Sequence, residues 1–145
     1  MEYRNSKTYE NVVNAYRGEI SGVVLYSFLS EIFGEKGNIE LVDFFKKLSN
    51  EEQGHANVLK KYMEEDVSKY DLSKEEIENL RVSLKDPMKS LEMFAAGEKK
   101  AGEIGYPNYS KIASEEGYED IAKMFITLAK VELKHGAQIE EIIKK

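Results

Sequence analysis

The sequence predicts an all-α fold: a four-helix bundle made of two antiparallel helical hairpins, with a long crossover between the second and third helices. Three observations support this prediction. The 145 residues include only two prolines, Pro87 and Pro107, so long helices are permitted almost everywhere else. Apolar residues recur at helical spacing, and no alternating run indicates a strand. The length suits one domain with its own core, so we predict a single domain over residues 1–145.

The first hairpin comprises the first two predicted helices. The first helix covers residues 8–33, where apolar residues recur at helical spacing over more than one face. Residues 34–38, with two glycines and an asparagine, have the composition of a turn, and the second helix follows over residues 39–66. The broad apolar surface of the first helix predicts a further contact outside the domain's own core. We therefore expect a homodimer.

The crossover and the second hairpin occupy the rest of the chain. Residues 67–87 form a long connection that contains one short helix. Ser73 and Glu76, which have the spacing of a capping box, indicate the N-terminus of this helix. The third long helix is predicted over residues 88–116, with a kink near Pro107. The fourth is predicted from residue 118 to the end of the sequence, after a break at the preceding glycine.

One motif, F-x-x-L-x-x-x-E-x-x-H-x-x-x-[LI], occurs twice, at residues 45–59 and at residues 125–139. Its two copies contain both histidines of the chain, each three residues after a glutamate: Glu52 with His55, and Glu132 with His135. Residues three apart on a helix share a face. Each copy therefore directs one carboxylate and one imidazole to the same side of its helix.

Two further glutamates match this pattern on the other two helices. Glu19 in the first helix follows Gly18, as Glu98 in the third follows Gly97, and Glu19 stands level with the second helix's glutamate across the turn. The predicted metal ligands are therefore Glu19, Glu52, His55, Glu98, Glu132 and His135. One glutamate from each of two helices and a Glu-x-x-His from each of the other two is the ligand set of ferritin-like di-iron and di-manganese proteins. The predicted fold is accordingly a ferritin-like four-helix bundle.

The residue types suit a pair of divalent cations. Four carboxylates balance the charge of two such ions, and one imidazole per ion leaves coordination positions open for an oxygen ligand. Burying these carboxylates without metal would cost several kcal/mol each unless they took up protons. We therefore expect two iron ions, with manganese or a mixed pair as the alternative, and a less stable metal-free protein.

Composition excludes several other classes. The absence of cysteine excludes disulfides, zinc ribbons, iron–sulfur clusters and thiol catalysis. A net charge of −6 and a pI near 5.1 argue against a nucleic-acid partner. The most apolar run, residues 20–33, is too short and too polar to span a membrane. No membrane partner is expected, and the expected location is the cytoplasm.

Six short segments share the pattern of one known family: Gly18–Glu19, Glu52–His55, Ala95–Glu98, Tyr106–Pro107, Ile112–Gly117 and Lys130–His135. In these segments the sequence resembles the rubrerythrin family, and the resemblance covers most of the chain. It implies that Glu52 and Glu132 bridge the two irons. It further implies that Glu19 and His55 bind one iron and that Glu98 and His135 bind the other.

The resemblance also implies roles for two tyrosines. Tyr26 and Tyr106 match family tyrosines that hydrogen-bond ligand carboxylates, so the predicted catalytic group is this pair with Glu52 and Glu132. An ordinary place in the apolar core is the alternative for both tyrosines.

Two departures from the family pattern limit the transfer. Relatives that reduce hydrogen peroxide typically have a second glutamate one turn after the one matching Glu98, and here that position is Ala101. Glu103 could substitute only if a local bulge, permitted by the glycines at 102 and 105, redirected its side chain. Many relatives also have a cysteine-ligated rubredoxin domain, which these residues do not contain, so the electrons must come from a separate donor protein.

Three functions stay open. The first is a di-iron oxidoreductase that acts in oxidative stress and reduces hydrogen peroxide or dioxygen. The second is a ferritin-like protein that oxidises or holds ferrous iron. The third is a metal-free helical scaffold, in which the histidines are surface or core groups, Glu19 extends to solvent and Glu98 belongs to a solvated face with its lysine neighbours. Glu115 and Glu116 look like solvated charge.

Overall fold

A computed structural model describes residues 2–145 of the chain, and these residues form helices connected by turns, with no strand among them. The predicted all-α class is confirmed. The chain divides into two compact units, one formed by residues 12–87 and one by residues 88–145 with the N-terminal residues up to Asn11. The helices are α1 (Lys7–Glu35), α2 (Ile39–Lys60), α3 (Lys74–Ser83), α4 (Pro87–Lys100), α5 (Tyr106–Glu115) and α6 (Glu119–Lys144). A π segment, Ala101–Gly105, connects α4 to α5 without a break, and short 3₁₀ helices cover Tyr3–Asn5 and Val67–Tyr70.

Helices α1 and α2 form an antiparallel hairpin. The Ser30 hydroxyl donates to the Val42 carbonyl at 2.9 Å, and the Ser49 hydroxyl donates to the Val23 carbonyl at 2.8 Å. The turn between the helices needs a positive φ, which Gly37 supplies at 75°. These contacts set the register in which residues of α1 face residues of α2.

Helix α2 ends at Lys60, six residues before the predicted end at Asp66. Asp66 instead accepts a hydrogen bond from the Ser68 N–H and caps the following 3₁₀ helix. Negative charge is unfavourable at a helix C-terminus and favourable at an N-terminus, so this aspartate is better placed as a cap. The predicted capping box of α3 is confirmed: the Ser73 hydroxyl accepts from the Glu76 N–H, and the Glu76 carboxylate accepts from the Ser73 N–H.

The third predicted helix is replaced by α4, the π segment and α5. The Tyr106 N–H bonds to the Ala101 carbonyl, five residues back. Pro107 has no N–H, and its ring would clash with the carbonyl four residues earlier in a regular helix. The structure places a wider π turn directly before this proline, at the position where the sequence predicts a kink. Gly117, at φ 91°, ends α5 as predicted.

Helices α5 and α6 form the antiparallel part of the second hairpin. The Ser110 hydroxyl donates to the Ala122 carbonyl at 2.7 Å. The Tyr106 ring stacks on Phe125, with 5.8 Å between centroids and 23° between planes. Phe125 is the first residue of the second copy of the repeated motif, so α5 packs against the beginning of that segment of α6.

The N-terminus of α1 is capped by a residue that is distant in the sequence, Glu116 at the end of α5. The Glu116 carboxylate accepts hydrogen bonds from the Thr8 N–H at 2.7 Å, from the Lys7 N–H at 3.2 Å and from the Thr8 hydroxyl. The expectation that Glu116 is only a solvated charge was therefore wrong. The hydrogen bond from the Thr8 hydroxyl, with those from the two backbone N–H groups, holds the pKa of Glu116 below its ordinary value.

Replacing Glu116 with alanine is expected to lower the free energy of unfolding by about 1 kcal/mol at pH 7, as for the loss of a helix cap near solvent. Because the pKa of Glu116 is lower in the folded protein, its contribution is fully present at pH values above the ordinary glutamate pKa of 4.5. The contribution is lost as the pH falls through the folded pKa. Urea unfolding of the parent and the variant at several pH values measures this difference, with exposed Glu115→Ala as the control. A difference that persists unchanged in strong acid would contradict the capping role.

Among residues 2–145, no helix combines the length and the apolar character needed to cross a lipid bilayer.

Candidate metal centre

The first group of predicted ligands comes together between α1 and α2. The His55 Nδ1 atom lies 3.5 Å from Glu19 Oε2 and 3.8 Å from Glu52 Oε2. Ligand atoms of the three residues lie within 4.8 Å of one another, close enough for one metal ion to contact them all. Glu19 and Glu52 are buried, with 3% and 2% of their surface exposed, so the alternative in which Glu19 extends to solvent is wrong.

Helix geometry explains this first triad. Glu52 and His55 lie three residues apart on α2 and so share a face. The hydrogen bond from Ser49, one turn earlier, fixes that face against α1. On α1, a Cβ atom at Gly22 would lie 3.5 Å from Glu52 Cγ, an ordinary contact distance, so the Glu52 side chain lies directly against this part of α1.

The second group comes together between α4 and α6. The His135 Nδ1 atom lies 3.7 Å from Glu98 Oε2 and 3.8 Å from Glu132 Oε2. Ligand atoms of these three residues also lie within 4.8 Å of one another. His135 and Glu132 are buried, and the Glu98 side chain is only 12% exposed. Glu98 therefore does not belong to a solvated face, which was the alternative for this residue.

The two triads have nearly the same geometry because the motif that builds them is repeated. In each, the imidazole Nδ1 is 3.8 Å from the glutamate on its own helix and slightly nearer to the glutamate of the facing helix. Each triad has two carboxylates and one imidazole. Oxygen and nitrogen donors in this ratio suit iron or manganese.

The electrostatics of each triad favour a bound cation. Two carboxylates removed from water in one place carry a desolvation cost of several kcal/mol each and also repel one another. A neutral imidazole does not offset this charge, whereas a divalent cation does. The donor set and the burial therefore fit a metal ion in each triad.

The two predicted tyrosines are buried against the first residue of each motif copy. Tyr26 stacks on Phe45 with 6.0 Å between centroids, and Tyr106 stacks on Phe125 in the same way. The Tyr–Phe pair is thus repeated along with the motif. These contacts account for the burial of both rings, and the hydrogen bonds from their hydroxyls to ligand carboxylates stay a prediction.

The bulge that could redirect Glu103 is present, but it does not do so. The π segment contains both glycines and Glu103, yet the Glu103 side chain is exposed to solvent. It therefore adds no carboxylate to the triad of Glu98, and Ala101 leaves the family's second position without a ligand.

Comparison with known proteins gives one family. A family model described as rubrerythrin matches residues 10–143. The chain is 28% identical to rubrerythrin-1 of Clostridium acetobutylicum, in an alignment that covers 97% of this chain and 72% of that protein. It is 29% identical to rubrerythrin of Nitratidesulfovibrio vulgaris, with 91% of this chain and 66% of that protein covered.

A solved structure has the same fold. Symerythrin from Cyanophora paradoxa, reduced with dithionite, matches with a TM-score of 0.79 at 21% sequence identity. The match covers 99% of this chain and 86% of that chain. This likeness confirms the predicted ferritin-like four-helix bundle fold.

Proposed function

The chain belongs to the rubrerythrin family, and from that premise we propose that it is a non-haem di-iron oxidoreductase that reduces hydrogen peroxide or dioxygen. The observation that supports this most is the pair of buried Glu/His triads with matching geometry. Electrons would come from a separate donor protein, since residues 1–145 contain no cysteine that could hold an iron–sulfur or rubredoxin-type centre within this domain.

In this proposal the two triads hold two iron ions between them. Glu52 and Glu132 would be shared by the two ions, Glu19 and His55 would bind one of them, and Glu98 and His135 would bind the other. The repeated motif and the family membership support this arrangement. Four carboxylates balance the charge of two divalent ions, so the loaded site would be close to neutral, which a buried site requires.

When bound, the iron pair supplies electrons and open coordination positions for an oxygen substrate. The protein's own residues hold and shield that position. The burial of Glu19, Glu52 and Glu132 keeps these carboxylates away from bulk water. Tyr26 and Tyr106 would donate hydrogen bonds from their hydroxyls to ligand carboxylates and so orient them.

The proposed net reaction balances with a reductant. Hydrogen peroxide takes up two electrons and two protons and yields two molecules of water. Dioxygen takes up twice as many of each for the same product. The electrons come from the donor protein and the protons from solvent. Removal of peroxide would place the protein in the response to oxidative stress.

A second candidate, oxidation or holding of ferrous iron, is favoured by one observation. The position where peroxide-reducing relatives have a further glutamate is Ala101, and Glu103 is exposed. A six-ligand site is sufficient for a ferritin-like iron protein. Such a protein would store iron only as a large hollow assembly, so size in solution separates the two functions.

Metal analysis is the direct test of the proposal. Protein produced with iron is expected to contain two metal ions per chain and to consume peroxide when a reductant is supplied. A large assembly that contains metal and oxidises ferrous iron rapidly, but does not consume peroxide, would favour the second candidate. A preparation that contains no metal and takes none up would leave only the metal-free scaffold.

The proposed oligomer is a homodimer and the proposed location is the cytoplasm. The support for the dimer is a run of partly exposed residues at positions 20–25 of α1, most of them apolar. The cysteine-free, acidic composition is compatible with a reducing compartment.

A further inference from the structure

At two glycines of the second hairpin the backbone of one helix lies close to the backbone of the other. A Cβ atom at Gly102, in the π segment, would lie 2.7 Å from the Ala129 carbonyl oxygen and 2.6 Å from Leu133 Cγ. A Cβ atom at Gly136, on α6, would lie 3.2 Å from the Ala95 carbonyl oxygen. The first distances are shorter than real carbon contacts allow, and the last is tight. A side chain at Gly102 would therefore force the two backbones apart, whereas one at Gly136 would require its neighbours to shift by a few tenths of an ångström.

The two close contacts bracket the second triad. Along α4 and the π segment, Glu98 lies between Ala95 and Gly102. Along α6, the triad's glutamate and histidine lie between Ala129 and Gly136. Because the hairpin is antiparallel, one contact lies on each side of the ligands. The separation of the helices at the triad is therefore fixed from both ends.

A side chain extends over the second of these contacts. Lys99, next to the ligand Glu98, has its Cγ atom 3.0 Å from the position of a Cβ at Gly136. Its Nζ atom lies 2.5 Å from Glu140 Oε1 on α6. This ion pair connects α4 to α6 directly across the glycine.

Other glycines near the ligands have no such role. Cβ atoms at Gly97 on α4 and at Gly54 on α2 would meet no neighbouring atom within 4 Å. At Gly22 on α1, the nearest atoms belong to the Glu52 side chain, at ordinary contact distances. Close contact between two helix backbones is thus found at Gly102 and Gly136, beside the second triad, but not at Gly97, Gly54 or Gly22.

We propose that Gly102 and Gly136 are positioning residues that set the distance between α4 and α6 and so hold Glu98 in reach of its two partners on α6. This role rests on the proposed function, since it concerns the metal ion of the second triad. A methyl group at Gly102 meets a backbone carbonyl, which cannot move unless the helix moves with it. Ligand sites tolerate displacements of only about 0.5 Å, so separating the helices would displace Glu98 from the metal position.

The test uses metal-free protein titrated with cobalt(II), followed by the visible absorption of the bound ion. The parent is expected to bind two equivalents. Gly102→Ala and Gly136→Ala are each expected to weaken one equivalent by about 10- to 100-fold and to leave the other unchanged. Circular dichroism should show parental helix content. Gly97→Ala and Gly54→Ala are matched controls on neighbouring helix faces, and both should bind two equivalents with parental affinity.

Several results would overturn the positioning role. The role is overturned if the Gly102→Ala and Gly136→Ala proteins fold and bind both equivalents of cobalt as tightly as the parent does. Equal weakening of both equivalents would also overturn it, since that indicates general loosening of the fold. If Gly102→Ala fails to fold, Gly136→Ala decides, because its contacts of 3.0–3.2 Å require only a small shift. A parent that binds no cobalt would contradict the proposed function itself, and that failure is visible without any variant.

Discussion

Replacing Glu52 and Glu132 together with alanine is expected to abolish uptake of both metal ions and, with it, consumption of peroxide. Each residue is the buried carboxylate on the same helix as a ligand histidine, and in the proposed centre both bridge the ions. Removing a residue that only hydrogen-bonds a metal ligand lowers the metal affinity by about 10- to 100-fold. Removing two ligands that are shared by both ions should therefore lower it by more than about 100-fold. Peroxide consumption should fall to the rate of the reductant alone.

The measurement compares metal content and peroxide consumption of the parent and the double variant, both supplied with the same reductant. The matched control is Glu40→Ala with Glu141→Ala, which removes two exposed glutamates from the same two helices, α2 and α6. The control should retain both metal ions and the parental rate. A double variant of Glu52 and Glu132 that consumed peroxide at the parental rate would remove the proposed chemistry, whatever its metal content.

The triads could be predicted from the sequence because they depend on local geometry. Glu52 and His55 are three residues apart on one helix, and the same is true of their counterparts, so no long-range contact is needed to place each pair on one face. Glu19 could be placed because a short turn in an antiparallel hairpin fixes which levels face each other, and Glu98 because it follows a glycine on its helix as Glu19 does. The repeat then provided an internal check, since two copies rarely match by chance.

Features that depend on contacts distant in sequence were not predictable in the same way. Glu116 caps α1 from 108 residues away, and no local pattern distinguishes it from Glu115. The π segment was expected as a kink near Pro107, with a local bulge at the two glycines as a further possibility, but the close approach of Gly102 to Ala129 appears only when α6 is in place. The early end of α2 depends on the competing use of Asp66 as a cap.

Removing the metal is expected to lower the thermal stability of the protein substantially. A ligand that binds only the folded state stabilises it by about 4 kcal/mol when its concentration is about 1,000 times its dissociation constant. For a chain of this length that corresponds to a melting temperature lower by about 8–16 °C in the metal-free protein. The physical cause is the burial of Glu19, Glu52 and Glu132, whose negative charge is costly without a cation beside it.

Differential scanning calorimetry of loaded and chelator-treated protein measures this shift. The double variant of Glu52 and Glu132 provides the sharpest comparison, because it should melt at the same temperature with and without chelator. Without metal, the double variant should be less stable than the parent, but by less than two ordinary core truncations would cause. Each substitution removes packing, which destabilises the fold, but also removes a buried charge that is costly without a cation. Equal melting temperatures for loaded and stripped parent would mean that the buried carboxylates are compensated without metal, as protonated pairs. The triads would then be structural, and the metal-free scaffold would be the better account of the chain.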